Sequence, residues 1–190
     1  MLEFEKKIIL NRAEYTFLKD LFKPSAMVTQ INYYYDTDSF DMNKNGITCR
    51  IREKDSTYKT VIKDHQKEWQ DCSIENIYCE SSVYDDSFFK SMGLCCQGIL
   101  STNRIIFFSN SVIIMLDKNS YLGTIDYELE IEYEPCFEKQ AEQTINFIAE
   151  SLVSNNYIQS ANEFCMKKNT ASKSSRFFNI KAIQQNNQEE

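Results

Sequence analysis

A chain of 190 residues with 42% apolar and 26% charged residues is ordinary globular composition, long enough to bury one substantial core. A net charge of −7 disfavours broad nucleic-acid or anionic-membrane binding, although a local basic cluster can still sit inside an acidic protein. No apolar run reaches membrane-spanning length, and 2 Pro with 4 Gly argue against a linker-rich or low-complexity chain.

The elements follow in order. LEFEKKIIL (2–10) alternates as a strand, with Glu3, Glu5 and Lys7 on one face. Asn11 with Glu14 three residues on marks a helix start, and Pro24 ends that helix. VTQINYYYDT predicts a strand over 28–36, followed by a polar loop closing on Gly46. ITCRIRE and STYKTVIK predict a hairpin across Lys54 and Asp55, and KEWQDCSIEN a short extended piece. Residues 85–92 predict a short helix capped by Gly93. RIIFFS and VIIMLDK predict a second hairpin across Ser109-Asn110-Ser111, and YLGTIDYELEIEYE one long strand after it. From Glu138 to Val153 the pattern turns helical, with Ala141, Ile145, Ile148 and Leu152 on one stripe. The rest is polar, so one domain is expected over 1–178 with a disordered tail over 179–190. About eight strands and two or three helices predict an α+β protein with a large antiparallel sheet, which eight strands can close into a barrel.

Cysteine usage bears on location. The seven cysteines are odd in number and contain no CxxC pair, and the N-terminus shows no signal peptide. Reduced thiols in a cytoplasmic protein are therefore expected, and a Cys-based zinc site is not. His65 is the sole histidine, which excludes a His-rich metal site, and it is read as a surface residue.

The charged faces carry the functional signal. Residues 127–134, YELEIEYE, place Glu128, Glu130, Glu132 and Glu134 about 7 Å apart on one strand face, where like charges oppose folding. Arg50 and Arg52 flank Ile51, Lys59 and Lys63 share a parity, and Arg104 and Asp117 fall within the second hairpin. A charged face on one strand is usually a solvated outer face. Here the helices carry apolar stripes of their own and need the apolar sheet face. Helices outside the barrel leave the charged faces pointing into the lumen. Arg and Lys suit phosphate oxygens, and carboxylates without His or Cys select hard cations such as Mg²⁺ or Mn²⁺. A lumen with both classes suits a polyphosphate–metal complex, and phosphoryl transfer needs little beyond positioning, charge neutralisation and an in-line water. Glu134, before Pro135, is assigned to solvent.

ExExK at Glu3-x-Glu5-x-Lys7, NYYYDT (32–37), CRIRE (49–53), YKTVIK (58–63), GILSTNR (98–104), MLDKNSYLG (115–123) and DYELEIE (126–132) occur in one order along residues 1–177. Together they resemble the CYTH superfamily, the triphosphate tunnel metalloenzymes, and especially its bacterial subgroup with NYYFDT, LRIRE and DYELE signatures. The resemblance implies an eight-stranded antiparallel tunnel that binds a triphosphate and a divalent metal. It implies that Lys7, Arg50, Arg52, Lys63 and Arg104 hold phosphates, joined by Lys173 from a C-terminal basic position. Metal ligation is implied for Glu3, Glu5, Glu128, Glu130, Glu132 and Asp117, and Glu75 falls on a further acidic position. Glu3, Glu5, Lys7 and Glu130 are the implied catalytic group, with Mg²⁺ or Mn²⁺ as cofactor.

The departures are Cys49 in place of Leu before RxR and Asn103 in place of a second basic residue. Cys49 is expected to pack away from Arg50, and Asn103 to weaken phosphate affinity or shift substrate choice. Lys59 is read as a solvated charge near the entrance. Trp69 and Tyr33, Tyr34 and Tyr35 are expected to pack between sheet and helix rather than stack a base. The implied activity is metal-dependent hydrolysis of inorganic triphosphate, thiamine triphosphate or a nucleoside triphosphate, by a monomer or homodimer. Two alternatives remain at this point: an adenylate cyclase using the same tunnel, and a module that binds triphosphate or polyphosphate without turnover.

Overall fold

Strand closure organises this computed structural model, which describes residues 2–64, 72–109, 111–167 and 171–187. The strands are β1 (Leu2–Leu10), β2 (Ala26–Asp36), β3 (Ile47–Lys54), β4 (Thr57–Asp64), β5 (Cys72–Ser81), β6 (Cys95–Ser109), β7 (Val112–Tyr121) and β8 (Thr124–Tyr133). All pairings are antiparallel, in the closed order β1-β5-β4-β3-β2-β6-β7-β8. The eight-stranded α+β barrel expected from the sequence is the one observed. Closure gives each of these strands a hydrogen-bonded neighbour on both sides, although β1 and β5 meet only over Leu2–Phe4 and Cys72–Ile74.

Two turns differ from expectation. The first hairpin turns at Asp55 and Ser56, one residue later than predicted, with φ of 51° and 60°. The expected single strand over 121–134 is broken at Leu122 and Gly123, whose φ values of 47° and 78° reverse the chain between β7 and β8. Positive φ at both central residues matches the twist of a tight hairpin. Gly123 accepts that geometry freely, and the YLG signal is therefore a turn.

Among the described residues six α-helices accompany the barrel: α1 (Arg12–Leu21), α2 (Asp41–Lys44), α3 (Ser87–Ser91), α4 (Glu138–Ser154), α5 (Ala161–Met166) and α6 (Lys173–Asn186). The α1 start forms the predicted capping box, with the Glu14 amide donating to Asn11 Oδ1 and the Asn11 amide to Glu14 Oε2. Helices α1 and α4 pack on the outside of β1, β6, β7 and β8. Ile8, Ile114, Leu116, Leu129 and Ile131 bury there against Leu18, Ala141, Ile145, Ile148 and Leu152. Each such aliphatic side chain contributes about 1.5–3 kcal/mol of burial. Because alternate residues of a strand face opposite ways, burying these outward positions turns the charged set inward.

Helix α6 was not expected. Ser172 accepts the Ser175 amide as its N-cap, and Phe177 and Phe178 anchor it by packing on Tyr34, Tyr121 and Phe40. The predicted polar tail over 179–190 is therefore helical as far as Asn186. Further contacts lay α6 across one end of the barrel: Ser174 to Thr48 at 2.7 Å, and Gln184 Nε2 donating to the Leu122 carbonyl at 3.2 Å. His65 and Trp69 lie outside the described residues.

Candidate active site

Strand order separates the charges. Strands β3, β4 and β6 bring Arg50, Arg52, Lys63 and Arg104 to one lumen, and β1 and β8 bring Glu3, Glu5, Lys7, Glu130 and Glu132 to it. Glu75 from β5, Gln30, Asn32 and Tyr34 from β2, Thr48 from β3, Thr102 from β6, and Ser172, Lys173 and Ser174 at the α6 start complete the lining. With the solvent at its mouth the lumen holds about 610 Å³ of free space. Helix α6 floors one end. At the other, Glu3 and Glu132 join Ser111, Ile113, Glu134 and Phe137 around an open groove.

On the wall near the mouth, Lys63 donates to Glu3 at 2.6 Å and to Glu5 at 3.1 Å, and Lys7 to Glu5 at 2.5 Å. Burial pushes the Glu5 carboxyl up, but Lys7 and Lys63 outweigh it and bring it down to about 2. Burial, reinforced by Glu5, Glu3 and Glu130, holds the neighbouring Glu132 carboxyl above its ordinary value. Glu134 is exposed, as expected.

Deeper, beside α6, Asp117 from β7 joins Glu128 and Glu130, all three buried, with one oxygen of each within 4.8 Å of the others. Arg104 forks onto Asp117, Nε to Oδ1 at 2.8 Å and Nη2 to Oδ2 at 2.6 Å, and also binds Glu130. Burial lowers the Glu130 carboxyl's tendency to ionise, yet Lys173, Arg104 and Lys7 pull its pKa well below the carboxylate range. Lys173 Nζ reaches Asp117 at 2.9 Å and Glu130 at 2.6 Å, and also bonds Glu128.

The opposite wall is less neutralised. Arg50 Nη2 donates to Glu75 at 2.6 Å, but its buried Nε has no hydrogen-bond partner among the described residues. Arg52 Nε donates to the neutral Asn32 at 3.2 Å, and among the described residues no carboxylate lies within ion-pair distance of it. Burial, with Arg50 and Arg104 close by, drops the Arg52 guanidinium to about 10 even though Glu75 opposes the shift. Buried guanidinium edges without partners are costly unless an anion completes them.

All the residues predicted for the site thus face the barrel interior. They divide into groups that the sequence does not separate: Asp117, Glu128 and Glu130 cluster, whereas Glu3 and Glu5 bind Lys63 and Lys7, and Glu132 stands with them. Lys59 is half-exposed and pairs with Glu80 at 3.1 Å, as a solvated rim charge would. Cys49 packs outward with Tyr35, Ile51 and Phe89, where burial pushes its thiol up to about 12. Asn103 corrects an expectation: it is exposed on the outer face, accepting from Thr29 at 3.0 Å, because it alternates with inward Arg104. It cannot tune the lumen from there. Of the three tyrosines, Tyr34 lines the lumen against Phe177, while Tyr35 stacks on Phe89 and Tyr33 meets Tyr84 outside.

Arg176 is the residue that sequence reasoning missed. Its guanidinium binds Asp126 (Nε to Oδ2, 2.9 Å) and both oxygens of Glu128 (3.2 and 3.1 Å). Asp126 also accepts from Asn119 and Tyr121 at 2.8 and 2.7 Å. The available signal was spacing: Arg176 follows Lys173 by three residues, one helical turn on the same side.

Three carboxylates of this kind suit a hard divalent cation, since their donors are all oxygen and lie within coordinating reach of one centre. The fold and site therefore define a closed antiparallel tunnel with a partly unneutralised cationic wall facing a buried acidic cluster. The CYTH domain model matches residues 1–159, and the chain belongs to that family. The Bacillus subtilis protein YjbK, provisionally assigned as a triphosphatase, is 26% identical over 146 residues, covering 69% of this chain and 77% of that one. A provisionally assigned adenylate cyclase from Bacillus halodurans superposes with a TM-score of 0.64 at 24% identity, covering 93% of this chain and 97% of its own. HpAC1 from Hippeastrum, a provisionally assigned adenylyl cyclase with a dominant triphosphatase activity, gives 0.57 at 16% identity over 83% and 88% of the two chains. Both structures share the fold. CYTH tunnel enzymes are generally metal-dependent. No helix among the described residues is long and apolar enough to cross a membrane, and all seven cysteines are unpaired.

Proposed function

We propose that this protein hydrolyses the terminal phosphoanhydride of a small triphosphate held in the barrel lumen, with Mg²⁺ or Mn²⁺ as cofactor. The observation that carries this reading is the pair Arg50 and Arg52, two lumenal guanidiniums with bonding capacity left open, facing the Asp117–Glu128–Glu130 cluster. The assignment of YjbK and the triphosphatase activity of HpAC1 support it.

In this reading Arg50, Arg52, Lys63 and Lys7 bind the phosphate oxygens, and Arg104 neutralises charge at the terminal phosphorus. Glu3 and Glu5 orient Lys63 and Lys7 through the bonds described above. Asp117, Glu128 and Glu130 would hold the divalent cation, which supplies charge neutralisation and a more acidic bound water when present. Water attacks the terminal phosphorus in line, the bridging P–O bond breaks with its electron pair going to the departing diphosphate or diphosphate ester, and the water's proton passes to the products or to solvent. Donors already in place cost no reorganisation as charge shifts to that bridging oxygen.

The test is phosphate release from inorganic triphosphate, thiamine triphosphate and a nucleoside triphosphate, each with Mg²⁺, Mn²⁺ or Ca²⁺. Release of phosphate from at least one is expected, with loss of turnover but retention of binding in Glu130→Gln. No cleavage of any of the three would sink the hydrolase reading. Cyclic nucleotide with pyrophosphate would replace it by a cyclase, and tight binding without turnover by a binding module.

A further inference from the structure

The Lys173 ammonium stands at the centre of the carboxylate cluster. It lies 2.9 Å from Asp117 Oδ2 and 2.6 Å from Glu130 Oε1, and bonds Glu128 Oε2. The other contacts of these carboxylates are already committed, Asp117 and Glu130 to Arg104 and Glu128 to Arg176. A divalent cation bound by the three would need oxygens at about 2.0–2.6 Å around nearly the same point. Two cations cannot share that volume.

We propose that Lys173 is the resident counter-ion of the metal site, exchanged for the divalent cation only when a triphosphate arrives to receive its ammonium. This rests on the metal–triphosphate reading above and goes beyond it. The geometry provides for the exchange. Lys173 is the first residue of α6, and its side chain also lines the lumen beside Ser172 and Ser174. A rotamer change can carry the ammonium from the cluster to the lumen. Phe177 and the Arg176 bonds to Asp126 keep the helix in place meanwhile.

The energetics make the two ligands interdependent. Metal alone would drive a buried ammonium away from all three of its partners with nothing to replace them, which is costly. Triphosphate alone would draw Lys173 off and leave three buried carboxylates facing one another. Together each ligand satisfies what the other displaces, so binding is synergistic, and by linkage the factor is the same in both directions. Lys173 acts here first as a counter-ion that competes with the metal and then as a phosphate ligand, and removing its charge removes the competition.

The experiment measures free Mn²⁺ by electron paramagnetic resonance over wild type and Lys173→Met, with and without a bis-methylene triphosphate analogue. Wild type should bind Mn²⁺ weakly alone and about tenfold or more tighter with the analogue. Lys173→Met should bind Mn²⁺ tightly without the analogue and lose most of the enhancement. Equal Mn²⁺ affinity of the two proteins in the absence of analogue would overturn the exchange while leaving the metal site intact. No Mn²⁺ binding in any arm would overturn the metal reading and the exchange together. Should Lys173→Met fail to fold, the wild type still decides. Its Lys173 ammonium NMR signal should move when Mg²⁺ and the analogue are both bound, and an unmoved signal in that complex overturns the exchange.

Discussion

Gly98 and Phe177 meet so closely that a Cβ on Gly98 would stand 2.9 Å from Phe177 Cζ. The contact joins β6 to α6, where the helix floors the barrel. Gly98 also has φ of +146°, a conformation L side chains rarely adopt. Gly98→Ala should therefore cost about 1–3 kcal/mol through strain and overpacking. Thermal unfolding should show a lowered Tm, and hydrogen exchange should locate the loosening in α6. An unchanged Tm would mean that α6 does not seat on Gly98 in solution.

Arg52 should be a residue that costs stability and supplies affinity. It is half-buried beside Arg50 with Asn32 as its side-chain partner, and its guanidinium is pulled down to about 10. Arg52→Ala should weaken triphosphate binding by ten- to a hundredfold, the worth of one or two charge-assisted hydrogen bonds. The ligand-free Tm should stay level or rise. Calorimetric titration together with a melting curve reads both, and a large loss of ligand-free stability would contradict the assignment.

Arg176 is expected to behave in the opposite way. Removing it leaves Glu128 and Asp126 without their shared guanidinium, and Glu128 is fully buried. Arg176→Met should lower stability by about 3 kcal/mol, as breaking one side of a buried ion pair does. Arg176→Lys should recover only part of it, because an ammonium cannot serve both carboxylates as a fork. Urea unfolding midpoints give the comparison.

Acid sensitivity should trace in part to Glu5. Its folded pKa of about 2 lies below the ordinary 4.5, because Lys7 and Lys63 overcome the effect of burial. A depressed carboxylate pKa adds stability that is fully present above about 4.5 and is lost as pH falls towards 2. Unfolding midpoints between pH 6 and pH 3 should therefore fall less steeply in Glu5→Gln than in wild type. Parallel slopes would remove Glu5 from the account.

Much of the architecture was legible because two local rules sufficed. Period-two alternation put Leu129 and Ile131 on one face of β8 and Glu128, Glu130 and Glu132 on the other. The apolar stripe of α4 then required the first face, so the glutamates had to look inward. The misread elements depended on backbone torsions or on distant packing. Leu122 and Gly123 turn because both adopt positive φ, which YLG followed by a strand-like run does not announce. Helix α6 is held by Phe177 and Phe178 against residues of β2, the 37–40 segment and β7, none of them near in sequence.

The sequence by itself determined that acidic and basic side chains would share one lumen, because alternation and helix burial are local and additive. Only the tertiary structure decided which charges meet. Lys63 faces Glu3 and Glu5, Arg50 faces Glu75, and Lys173 faces Asp117, Glu128 and Glu130. Those pairings follow from barrel closure, which brings β1 beside both β5 and β8, and from α6 folding back across the end. Coulomb interactions act over a few ångströms between residues far apart in the chain, so spacing along the sequence cannot assign them.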